Sequence, residues 1–216
     1  MISIILPSVR PELLVGCLNG IVSGAISVDI EIILVSDYEP NLTHEVMENL
    51  KIKWVYEKER KGVVCAINNG LSISRGEYLF SLSDEALLST GAFLNMQRFS
   101  ESVGDMCILT PKHLPAFNFE YYQRPFAPFP FVHRKVIDAL NGVFIDPAYK
   151  AFYADPDLSM RALTSNIPVY TCETAEIYHP NNMSCPAHVH NVNAYLDQDR
   201  ATFRARWDHL GKFVDP

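Results

Sequence analysis

The segment Arg75-Gly76-Glu77-Tyr78-Leu79-Phe80-Ser81-Leu82-Ser83-Asp84-Glu85 decides how this chain folds. Glu77–Leu82 reads as a buried strand, and it ends directly on two adjacent carboxylates. Such a pair at the end of a buried strand is costly unless a cation neutralises it. A hard divalent ion shared with a diphosphate would do so through oxygen ligands. The residues alone leave an exposed acidic turn open as well.

Upstream, strand and helix signals alternate. Ile2–Leu6 is an apolar run closed by Pro7, Ile30–Val35 a second and Ile52–Tyr56 a third. Pro11–Gly24 spaces Leu13, Leu14, Cys17, Leu18, Ile21 and Val22 at three and four, as a helix does. Asn41 is placed to cap a helix running to Leu50, with Glu45 near its first turn. Gly62–Ser74 gives a further helix, its buried stripe being Val63, Val64, Ile67 and Leu71. Strands alternating with helices of about a dozen residues predict right-handed βαβ units and a parallel sheet. Ligands in such sheets sit beyond the carboxyl ends of the strands. Three polar clusters fall there: Ser8-Val9-Arg10, Ser36-Asp37 and Ser83-Asp84-Glu85.

Downstream the pattern loosens. Gly91–Ser102 reads as a helix and Met106–Thr110 as a strand. Pro111–Phe131 is rich in proline and aromatic residues, has no helical period, and reads as a long ordered loop or irregular hairpin. Val132–Leu140 and Asp155–Thr164 are helix candidates, Pro168–Thr171 and Glu176–Tyr178 short strands, and Ala201–Leu210 a closing helix.

Composition narrows the function classes. A chain of 216 residues with 48% hydrophobic and 20% charged residues is expected to fold as one globular domain. Its formal charge of −7, from 18 basic and 25 acidic side chains, argues against nucleic acid as the main partner. The five cysteines (Cys17, Cys65, Cys107, Cys172, Cys185) form no Cys-x-x-Cys pair and read as reduced thiols of a cytoplasmic protein. No signal peptide is expected at the start, and no apolar run reaches the ~18–20 residues of a membrane span. A membrane substrate would therefore be met peripherally, at the bilayer surface.

Four motifs in order resemble the family 2 glycosyltransferases of the GT-A fold. They are the opening Ile4-Ile5-Leu6-Pro7, the strand end Leu34-Val35-Ser36-Asp37, the run from Lys61-Gly62 through Ala66-Ile67-Asn68-Asn69-Gly70-Leu71 to Glu85, and Ala154-Asp155-Pro156-Asp157-Leu158-Ser159-Met160-Arg161. The third is similar to the family's G-E-Y-(I/L)-x-x-L-D-x-D segment, the fourth to its E-D-x-D-L-x-x-R. The resemblance covers roughly residues 2–180. It implies an α/β, Rossmann-like GT-A fold with a mostly parallel central sheet flanked by helices and a less regular acceptor half. The nucleotide-sugar half would be residues 1–110 and the acceptor half 111–216. The implied activity moves a sugar from a nucleoside-diphosphate sugar, a UDP-sugar by family prevalence, to a hydroxyl of a glycan, lipid-linked or protein-linked acceptor.

The resemblance also implies roles for single residues. Pro7 and Ser8 would border the nucleotide pocket, Asp37 would accept from base or ribose, and Arg60 or Lys61 would sit near base or diphosphate. Asn68 lies on the helix after them. Glu85 takes the place of the family's metal-binding last carboxylate, for Mn2+ or Mg2+, with Asp84 beside it supporting ribose or a metal water. Ser83 replaces the first carboxylate, a departure. His179 would complete the metal shell as a neutral imidazole, with His188 and His190 competing for that place. Asp155 would be the general base for the acceptor hydroxyl, ahead of Asp157; Ala154 replaces the preceding Glu. Both aspartates also suit the first turn of a helix. Phe117, Phe119, Tyr121, Tyr122, Phe126 and Phe129 would either wall an acceptor sugar or tuck against the core, and Phe203 with Trp207 would pack the closing helix.

Rival readings rank lower. A sugar-1-phosphate nucleotidyltransferase carries a glycine-rich loop after its first strand, where Pro7-Ser8-Val9-Arg10-Pro11 has no glycine. A dinucleotide-binding Gly-x-Gly-x-x-Gly is missing at the same place. A non-catalytic module that binds nucleotide or glycan on the same fold is the alternative from another class.

Overall fold

The structure, a computed structural model, describes residues 1–116, 119–180 and 184–211. Strands β1 (Ile2–Ser8), β2 (Ile30–Ser36), β3 (Ile52–Tyr56) and β4 (Tyr78–Ser81) alternate with helices α1 (Pro11–Gly24), α2 (His44–Asn49) and α3 (Val63–Ile73). There follow β5 (Leu87–Leu88), α4 (Ala92–Ser102), β6 (Ile108–Leu114), β7 (Glu120–Tyr121), β8 (Arg124–Pro125), β9 (Phe131–His133) and α5 (Arg134–Ala139). The chain closes with α6 (Ala154–Thr164), β10 (Val169–Tyr178), α7 (Pro186–Trp207) and a 3-10 turn, Asp208–Leu210.

Eight strands form one sheet in the order β3-β2-β1-β4-β9-β6-β10-β5. β1 pairs in parallel with β2 and β4, β2 with β3, and β6 with β10. β9 runs antiparallel between β4 and β6, and β5 antiparallel against β10. The sheet is thus mostly parallel and lies between helices, as the sequence predicts. Alternation along the strands feeds two large cores and a small third one, Ile33, Val35 and Ala66. Ile2, Ile4, Leu6, Tyr78 and Phe80 join one cluster with α1 and α4. Ile5, Leu79, Ile108 and Val132 join the other with residues of α3, α5, α6 and α7.

Several boundaries differ from expectation. Thr43, not Asn41, caps α2, its side chain accepting from the Val46 N–H at 3.3 Å. Val22 on α1 is exposed, and Val63 and Leu71 are only half-buried. The predicted helix from Val132 starts two residues later, because Phe131 and Val132 complete the sheet as β9. β10 is one ten-residue strand rather than two, with a bulge between Cys172 and Glu176. The predicted Ala201–Leu210 helix is the end of the 22-residue α7. Only Asp199, Phe203 and Trp207 of that helix are buried, and a stripe containing a carboxylate gives no apolar period to read. No helix among the described residues is long and apolar enough to cross a membrane.

The aromatic segment behaves mainly as core. Tyr121, Tyr122 and Phe126 are buried, and Tyr121 and Tyr122 pack against Phe203 of α7. Phe119 stands edge-on to Phe126. Phe117 lies outside the described residues.

Candidate functional site

A cavity of about 320 Å3 opens at the carboxyl ends of β1, β2 and β4. Its roof comes from Pro128–Pro130, the stretch 151–155 and the first turns of α7. Pro7, Ser8, Arg10, Asp37, Arg60, Ser83, Asp84, Glu85 and Asp155 all line it. All but one of these were singled out from the sequence as site residues. Arg10 was noted only as part of a polar cluster.

The turn after β4 is wired to the turn after β1 through Asp84, which is 2% exposed. Its Oδ2 accepts from Ser8 Oγ at 3.0 Å and from the Val9 and Arg10 backbone N–H groups at 3.1 and 3.2 Å. Its Oδ1 accepts from Arg10 Nε at 2.9 Å and from Arg10 Nη2. The one carboxylate therefore holds both ends of Arg10. Arg10 Nη1 continues to Glu85 Oε2 at 2.8 Å, and His179 Nε2 meets Glu85 Oε1 at 3.0 Å. Burial opposes ionisation of Glu85, but the hydrogen bond from His179 and the charge of Arg10 hold its carboxyl below the usual range. Burial likewise opposes the charge on Arg10, and Asp84 with Glu85 more than offsets it. The ring of Phe129 stands edge-on to His179 at 5.1 Å between centroids, which fixes the imidazole's direction.

At the far end of the cavity Asp37 and Arg60 form an ion pair at 2.5 Å. Glu57 lies beside them, its pKa raised by burial and its Oε1 accepting from Asn69 at 2.6 Å. Ser8 Oγ also bonds the Tyr38 hydroxyl at 2.6 Å. Lys61 is exposed and does not reach the lining. Asn68 points elsewhere: its Nδ2 donates to the Ile145 carbonyl at 3.0 Å and ties α3 to the loop that leads to α6. Gly62 starts α3 at φ +94°, and a Cβ there would lie 2.3 Å from the Lys150 carbonyl oxygen. Glycine is what lets these two loops meet.

The two aspartates of α6 have opposite surroundings. Asp155 faces the cavity, and burial pushes its carboxyl up to about 7. Asp157 is fully buried away from it. Tyr149 Oη (3.1 Å), Arg206 Nη1 (2.7 Å) and Trp207 Nε1 (3.0 Å) donate to its Oδ1, and Arg161 Nε (2.8 Å) to its Oδ2. Asp157 thus fastens α6 to the end of α7 and has no face turned to a substrate.

A wall that the sequence reading did not foresee comes from α7, through Cys185, Ala187, His188, His190, Asn191 and Tyr195. His188 stands edge-on to Phe152, and its Nε2 has no hydrogen-bond partner among the described residues. Asp199, about three turns along, accepts the backbone N–H groups of Lys150, Ala151 and Phe152.

The sequence profile of glycosyl transferase family 2 matches residues 3–157. The chain belongs to that family. No curated protein matches it significantly in sequence. Among solved structures, S. aureus TarS is similar with a TM-score of 0.65 at 13% identity, over 96% of this chain and 43% of TarS. TarS 1–349 in complex with UDP-GlcNAc gives 0.65 at 14%, over 96% of this chain and 72% of the other. The mannosyltransferase PcManGT from Pyrobaculum calidifontis, in complex with GDP-Man and Mn2+, gives 0.69 at 13%, over 99% and 65%. At such identities the likeness is one of fold. The family match ends at Asp157, so His179 and the α7 wall of this family 2 chain lie beyond it.

The metal expected at Asp84, Glu85 and His179 fits poorly. Both oxygens of Asp84 are taken by five donors, and a guanidinium already lies on Glu85. A divalent ion placed there would sit against a like charge. Nothing in the residue types betrays this, because Arg10 is separated from the carboxylates by more than seventy positions.

Proposed function

We propose that this family 2 chain transfers a sugar from a nucleoside-diphosphate sugar to an acceptor hydroxyl, with inversion at the anomeric carbon. The observation that carries the reading is Asp155. It is a cavity-facing carboxyl whose pKa is brought to about 7, in the same space as the Asp37–Arg60 pair and the Arg10–Asp84–Glu85 cluster. A base poised near neutrality is what hydroxyl activation needs. Asp155 takes the acceptor proton and the acceptor oxygen attacks the anomeric carbon. The bond from that carbon to the diphosphate breaks, and the nucleoside diphosphate leaves with the electron pair. In this reading Asp37 and Arg60 meet base or ribose, and Ser8 and Ser83 the middle of the donor. UDP is the proposed nucleotide, and the acceptor is a glycan or a lipid- or protein-linked sugar.

Incubation with UDP-, GDP- and dTDP-sugars and simple glycan acceptors tests this by nucleotide release. Release that depends on Asp155 supports the transferase. Tight nucleotide binding with no release in any combination would instead make the chain a binding module, a reading that Ala154 in place of the family's Glu favours.

A further inference from the structure

The acidic turn already contains its cation. Arg10 has five N–H groups, and three of them make close bonds to the carboxylates of Asp84 and Glu85. The other two, one on each Nη, meet only Ser83 Oγ at 3.5 Å and Cys185 Sγ at 3.7 Å. Both of those atoms belong to residues of the cavity wall. Arginine offers such paired N–H groups to phosphate oxygens more readily than any other side chain. Arg10 cannot easily swing out of the way, because Pro11 fixes the first turn of α1 behind it and Asp84 holds its backbone N–H as well as its guanidinium. It is also well covered, with its side chain 15% exposed. A donor of positive charge held in place before the substrate arrives costs no reorganisation when charge develops.

We infer that Arg10 takes the place of the divalent ion in this chain: it neutralises Asp84 and Glu85, and its two weakly engaged N–H groups receive the donor's diphosphate, so that donor binding needs no metal. This rests on the glycosyltransferase reading above. Asp84 and Glu85 become positioning residues that hold Arg10, and Glu85 in turn holds His179.

Calorimetric titration of the wild-type protein with UDP and with GDP, in excess EDTA and again in excess Mn2+, tests the inference. Equal affinity in the two buffers is expected, and the resonance signal of a mixture of Mn2+ and UDP should not change when the protein is added. Arg10→Gln should weaken binding in EDTA by about tenfold or more, whereas Arg10→Lys, which keeps the charge, should lose less. Wild-type binding that appears only with Mn2+, or a Mn2+ signal that changes on adding the protein, would overturn the inference and leave the transferase reading intact. Failure to bind either nucleotide in both buffers would sink that reading and the inference with it. The wild-type comparison decides the matter even where Arg10→Gln does not fold.

Discussion

The carboxylate of Asp199 accepts the backbone N–H of Phe152 at 2.9 Å, linking the middle of α7 to the strip of chain that leads into Asp155. The same side chain takes the N–H groups of Lys150 and Ala151, so three backbone donors depend on it. Asp199→Ala leaves these half-buried donors without that partner, and a loss of about 2–4 kcal/mol is expected in urea unfolding. Asp199→Asn keeps one acceptor oxygen and should cost clearly less. If the two variants unfold alike, the anchoring role is wrong.

Asp155 gives a signature in pH. As the base it must be ionised, so the transfer rate should climb as pH rises through about 7 and then level off. Asp155→Asn should cut kcat by about 10²–10⁴ while UDP binding holds. A flat profile between about pH 5 and 9, the range over which side chains near neutrality titrate, would remove Asp155 from the chemistry.

The same raised pKa makes a separate prediction about stability. Between the ordinary aspartate value of 3.8 and about 7 the folded chain binds more protons at Asp155 than the unfolded one. Stability must then fall as pH rises through that window and stay level above it, by on the order of a few kcal/mol. Thermal melts of Asp155→Asn, which cannot ionise there, should lack this fall. A variant that follows the wild-type curve would show that the carboxyl is not held protonated.

Asp157→Asn separates structure from chemistry at the neighbouring aspartate. Removing the charge leaves Arg161 and Arg206 without their shared buried partner, and a loss of about 3–5 kcal/mol is expected. In the molecules that remain folded at low temperature, kcat should stay near the wild-type value. A selective loss of kcat without destabilisation would return Asp157 to the list of bases.

Gly62→Ala tests the junction between the two loops. A side chain there is strained by φ +94° and collides with the Lys150 carbonyl, so about 2 kcal/mol or more should be lost. Substitution at the solvent-facing Gly104, also at positive φ but with open space for a Cβ, should cost only the strain.

Most of the sheet was legible because its strands are short apolar runs bounded by turn residues. β1 to β4 and the helices α1 and α3 fall within a few residues of their expected ends. This end of the cavity lining was legible too, since Ser8, Asp37 and Asp84 sit where parallel strands end. What escaped was built from long-range partnerships. Arg10 becomes the partner of Asp84 and Glu85 only when two strand ends are brought side by side. α7 hid because its inner face mixes Asp199 with Phe203 and Trp207, and its cavity face carries histidines and a tyrosine. Asp155 and Asp157 look alike in sequence, and only the half-buried arginines around the second tell them apart.

The anchoring of α7 has one more consequence. The helix that walls the cavity and the strip carrying Phe152 toward Asp155 are fastened together at Asp199, and α6 is fastened to the far end of the same helix at Asp157. Any outward movement of α7 that widened the cavity mouth would carry Asp155 away with it. On the proposed transferase reading, entry and proton abstraction then exclude each other: an open gate is also a disarmed one.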